Sequence, residues 1–122
     1  MALDGLRVAI EFRDDRWYVS GVRTVLERHN AALCLADRES RLVTPTWRTA
    51  DWGYIRFHAG RGSPPGAYGE TSLRARAQML ASLFGADADV FAYFNNDGHG
   101  CALRDASALR REVDRAGLRI AK

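Results

Sequence analysis

The sequence predicts an α/β fold built on parallel strands. Three features predict it: four short apolar runs of strand length, amphipathic helical stripes between and after them, and polar residues gathered at the C-terminal ends of the runs. The runs are Arg7 to Phe12, Ala32 to Ala36, Trp52 to Phe57 and Asp89 to Phe94. The first, third and fourth carry β-branched or aromatic residues, and all four lie close to polar or glycine residues. Strands separated by helices pair in parallel, because parallel neighbours need a crossover of a dozen or so residues.

The helices are read from spacing. Val19, Val22, Leu26 and His29 fall on one helical face, with Asp14 or Asp15 as the expected cap and Asn30 at the end. Leu73, Ala77, Leu80 and Phe84 form a second stripe, with Thr71 or Ser72 as cap and Gly85 beyond its end. Ala102, Ala106, Leu109 and Val113 form a third, closed by Gly117. The order is strand, helix, strand, loop, strand, helix, strand, helix, within one domain over residues 1–122. The stretch Asp37 to Asp51 is expected to be a long loop with at most one helical turn. Ala59 to Glu70, with its glycines and prolines, is expected to be a surface excursion of the functional kind.

Composition excludes several classes. A hydrophobic fraction of 47% and a charged fraction of 27% are those of an ordinary globular protein. No apolar stretch is long enough for a membrane helix, and Met1 to Gly5 lacks a signal-peptide pattern, so a cytoplasmic protein is expected. Cys34 and Cys101 are expected to be free thiols. The net charge is +3, and Lys122 is the one lysine among 18 basic residues. The arginines are scattered rather than blocked, which gives little support for nucleic-acid binding.

A strand covered on both faces should be apolar throughout, so its departures are informative. Glu11 interrupts the first run and Arg13 shares its face. Asp37 follows the second, Arg56 interrupts the third with His58 on the same face, and Asn95, Asn96 and Asp97 follow the fourth. Parallel α/β folds bind ligands outside the carboxyl ends of their strands. The plain alternative is an interior ion pair of Glu11 with Arg13 or Arg56.

The same segments resemble the domain-of-unknown-function 72 (YecE-like) family. Val8-Ala9-Ile10-Glu11-Phe12-Arg13 with Trp17 is similar to its Glu-Phe-Arg strand. Leu33-Cys34-Leu35-Ala36-Asp37 is similar to its Asp-ended strand, and Tyr54-Ile55-Arg56-Phe57-His58-Ala59-Gly60 to its Tyr-x-Arg-x-His-Gly strand. Val90 to Asp97 followed by Gly98-His99-Gly100 is similar to its aromatic strand ending in Asn-Asn-Asp and Gly-His-Ala. Here Ala59 intervenes before Gly60, and Cys101 is atypical. The resemblance implies a parallel (β/α) half-barrel, the last four strands of a TIM-type barrel. It implies no settled activity. Four strands cannot close such a barrel, so self-association or an N-terminal half is expected to complete it.

Two function classes stay open. One is an enzyme acting on a small polar or phosphorylated molecule at the strands' C-terminal face. Glu11, Asp37, Asp97 and His99 would handle protons; Arg13, Arg56, His58, Asn95, Asn96 and Tyr68 would contact substrate. Glu11, Asp37, Asp97 and His58 are also of ligand type for a divalent ion, though no local spacing supports a metal, and no motif names a cofactor. The other class is a non-catalytic binding or scaffold module, or an inactive truncated fragment, in which the polar strand ends form an internal network.

Overall fold

The structure, a computed structural model, describes residues 5–121. Lys122 and most of the segment on which the signal-peptide expectation rests lie outside them. The elements run β1 (Ala9–Ile10), a single 3-10 turn (Asp15–Trp17), α1 (Ser20–Arg28), β2 (Ala32–Arg38), β3 (Arg41–Leu42), β4 (Gly53–Ala59), α2 (Glu70–Phe84), β5 (Val90–Phe94), a short turn (Gly98–Gly100) and α3 (Cys101–Arg115). The main sheet has the order β1-β2-β4-β5 with every pairing parallel, and β3 adds an antiparallel pair at the end of β2. Among the described residues no helix is long and apolar enough to cross a membrane.

Strand alternation sorts the sheet into two faces. Leu33, Leu35, Ile55 and Phe57 point toward the helices and form the core with Leu26, Leu73, Ala77, Leu80, Phe84 and Leu109. Their neighbours Ala32, Cys34, Trp52, Tyr54 and Arg56 point the other way. The sheet curls around that second face: Arg7, before β1, reaches Asp89 beside β5 at 3.0 Å and lies over the rings of Trp52 and Phe91. Helices outside and a concave side-chain-filled face inside make a (β/α) half-barrel, as the family resemblance implies.

Several local expectations change. Asp14 caps the 3-10 turn rather than α1, whose N-cap is Val19 without a side-chain cap. α2 begins at Glu70, so Gly69 takes the cap place expected of Thr71 or Ser72. The Gly69 carbonyl accepts from Leu73, and Glu70 suits the positive end of the helix. The 37–51 stretch holds no helical turn. Instead β2 turns back into β3 through Glu39 and Ser40, both with positive φ (53° and 61°), a two-residue hairpin turn. Beyond it, the Thr44 and Thr49 hydroxyls accept from the amides of Ala36 and Leu33.

The third helix buries a stripe rotated from the expected one: Cys101, Asp105, Leu109 and Glu112 face inward, while Ala106 is exposed. The two buried carboxylates explain the rotation. Asp105 accepts from the Tyr68 amide at 2.9 Å and from Asn96 Nδ2 at 2.7 Å. Glu112 accepts from Arg74 and Arg115. Buried charge is tolerated only when paired in this way. Through Asp105 and Asn96, whose Nδ2 also reaches the Gly66 carbonyl, the glycine-rich loop is fastened to α3 and the end of β5. A Cβ at Gly60 would collide with the Ala67 carbonyl, so only glycine allows the loop to fold back so tightly.

Candidate functional site

Four polar side chains converge on the concave face at the C-terminal ends of the strands. Glu11 follows β1, Arg56 and His58 are alternate residues of β4, and Asn95 follows β5. Arg56 ties them together. Its Nη1 donates to both Glu11 oxygens at 2.9 and 3.0 Å, and its Nε and Nη2 donate to Asn95 Oδ1 at 3.2 and 3.1 Å. His58 Nε2 lies 3.4 Å from Glu11 Oε1, shielded from water but without a hydrogen bond of good geometry. The Cys34 thiol lies 3.8 Å from the same oxygen. Below this polar layer the lumen is aromatic: Trp52 meets Phe91 edge to face and Tyr54 stacks on Tyr93. The resulting open cavity is about 480 Å³, lined by Arg7, Glu11, Cys34, Tyr54, Arg56 and Tyr93 among others. Glu11 also faces a second cleft of about 390 Å³, shared with Arg13, Tyr18 and Arg38.

Electrostatics follow from this packing. Burial holds the His58 pKa below its ordinary 6.5. Glu11 pulls it up, and Arg38 and Arg56 push it down. His58 is therefore neutral at pH 7. A base with a depressed pKa in the folded state adds stability above its unfolded pKa and loses it as pH falls through the folded value. Stability to urea is expected to decline as pH drops below 6.5, with a smaller slope in His58→Gln; identical slopes would show that His58 is not the group responsible. Burial, then the Glu11 charge, push the Cys34 thiol up to about 12. Cys34 is thus expected to resist alkylation by iodoacetamide at pH 8 in the folded chain and to react once urea unfolds it.

The remaining expected site residues go elsewhere. Asp37 is wholly buried on the helix side, where Arg76 Nε donates to it at 2.8 Å, so it does not join Glu11. Tyr68 packs edge-on against Phe57 and Phe94 and donates to the Asp37 carbonyl, a core position rather than a ligand contact. Asn96 serves the Asp105 anchor. Arg13, Asp97 and His99 are exposed at the same end of the sheet without joining the cluster. Among the described residues no three His, Cys, Asp or Glu side chains are grouped to hold a metal ion. The Arg56–Glu11–Asn95 bridge was visible as two charges embedded in apolar runs. Cys34 and the aromatic floor were not singled out, although strand alternation puts them on the same face.

The family profile described as "Protein of unknown function DUF72" matches residues 1–122. The chain belongs to the DUF72 family. It is similar in fold to a DUF72 protein from Thermotoga maritima, with 21% identity and a TM-score of 0.76, covering 90% of this chain and 47% of that one. A DUF72 protein from Enterococcus faecalis is similar at 17% identity and a TM-score of 0.74, covering 92% of this chain and 50% of that one. This DUF72 chain thus spans about half the length of these relatives. No curated protein matches it. The family has no assigned activity, so the chemistry of the Glu11–Arg56–His58–Asn95 cluster is argued from the cluster itself.

Proposed function

We propose that the C-terminal end of the lumen is an acid–base site for a small polar molecule, with Glu11 and His58 as the proton-handling pair. The observation that carries this reading is the convergence of Glu11, Arg56, His58 and Asn95 from three strands, with Glu11 and Arg56 opening onto the lumen cavity. Arg56 acts as the positioning group. Three of its nitrogens are engaged by Glu11 and Asn95, so it orients the carboxylate rather than clamping an anion. Glu11 keeps open access to the cavity, and neutral His58 beside it can accept or return a proton near neutral pH. A phosphate or carboxylate on the substrate would instead be met at the rim by Arg13 and Arg38, which line the adjoining cleft.

A second reading has its own observation. Because those Arg56 donors end on protein oxygens, the network also fits a scaffold that holds β1, β4 and β5 together with no chemistry. NMR chemical-shift mapping with inorganic phosphate, acetate and a set of monosaccharides separates the two. The acid–base reading expects at least one probe to perturb both His58 and Asn95, with its affinity lowered about tenfold or more in Glu11→Gln. Absence of any perturbation at the cluster would leave the scaffold.

A further inference from the structure

Among the described residues the sheet ends in two unpaired edges, β1 and β5, and their chemistry is complementary. We infer that two copies of this chain associate edge to edge, β5 of each against β1 of the other, closing an eight-stranded parallel barrel around a shared lumen. Four strands with helices on one face cannot close, whereas eight parallel strands enclose an interior that side chains just fill. A two-fold axis along the barrel makes both seams identical, so one kind of contact covers every open edge.

Main-chain geometry allows the pairing. The Asn95 amide donates to Phe57 and the Asp89 carbonyl accepts from Gly53, so the odd-numbered residues of β5 face β4. The amides and carbonyls of Ala92 and Phe94 therefore face the open edge. On β1, Val8 accepts from Ala32, which leaves the groups of Ala9 and Glu11 on the outer edge. Both edges thus offer alternating donors and acceptors running in the same direction.

Side chains match as well. Beside β5, under α3, runs an apolar groove of about 270 Å³ whose lining includes Val90, Ala92, Phe94, Leu109, Val113 and Ile120. In a (β/α) barrel each helix also covers a neighbouring strand, and among the described residues no second strand lies under α3. The strand that fits must be apolar outward and polar or small inward. β1 with its flanks supplies Val8, Ile10 and Phe12 outward and Ala9 and Glu11 inward. Charges agree at the C-terminal end of the seam, where Arg13 lies past β1 and Asp97 past β5, neither of which has an ion-pair partner among the described residues; at the other end Arg7 and Asp89 already pair within one copy. Phe91 and Tyr93, 39% and 50% exposed on the concave face, become lumen core facing their counterparts, and each copy brings its own Glu11–Arg56–His58 cluster to the opposite wall.

Light scattering on the full chain should give twice 13.6 kDa, falling to the monomer mass in Ala92→Arg, which places a charge in the groove at a site exposed in the single copy. Hydrogen exchange on the wild-type chain supplies an independent reading. The Ala92, Phe94, Ala9 and Glu11 amides should gain protection of about a hundredfold as concentration rises through the dimerisation range. A cooperatively melting monomer would overturn the proposal and assign both edges to a different polypeptide segment. Larger open-ended species, or a dimer indifferent to Ala92→Arg with these amides unprotected, would equally overturn it.

Discussion

Arg76→Ala should destabilise the chain by about 3–5 kcal/mol, read from urea melts at pH 7. Asp37 is fully buried, and Arg76 Nε supplies its one side-chain hydrogen bond among the described residues; Asp37 Oδ1 has none. Removing the guanidinium strands a carboxylate in the core between β2 and α2. The burial cost of the ion is then no longer offset by its partner. Asp37→Leu combined with Arg76→Leu should restore much of the loss, since an apolar pair of similar volume avoids desolvating two charges. Unchanged stability in Arg76→Ala would show that the buried Asp37 carboxylate does not depend on Arg76.

The case of Asp37 shows what the sequence carries and where it fails. A charged residue at the end of an apolar run signals that something is unusual, but not on which face. Parity decides that. Asp37 alternates with Leu33 and Leu35, both helix-facing, whereas Glu11 and Arg56 alternate with Ala9 and Tyr54 on the lumen side. The same rule separates Asn95, in step with Phe91 and Tyr93, from its neighbour Asn96, which turns to Asp105. Parity gives no help in loops, and so Tyr68 was expected at a ligand rather than in the core. The order of strands and helices was legible because a period of 2 and a period near 3.6 are both written in apolar residues. The α3 stripe was not, because apolar spacing cannot show that Asp105 and Glu112 are buried and paired. Nor was β3: a turn with two positive φ values usually declares itself as Asn-Gly, and here it is Glu39-Ser40.

Arg56→Ala is the second change with a large expected effect, and it separates a working network from a passive one. Among the described residues the guanidinium is the one group that hydrogen-bonds both Glu11 and Asn95, so its loss should cost about 1–3 kcal/mol, less than for Arg76 because Arg56 and Glu11 are 27% and 13% exposed. The more telling readout is His58. Arg56 pushes its pKa down and Glu11 pulls it up. Arg56→Ala should therefore raise the His58 pKa, while Glu11→Gln should lower it further, both measured by NMR titration of the imidazole protons. Displacements of opposite sign would establish that the two charges act on one titrating imidazole, as proton exchange between Glu11 and His58 requires. Displacements of the same sign, or none, would mean that the network holds strands together without governing His58, and the acid–base assignment would fall with it.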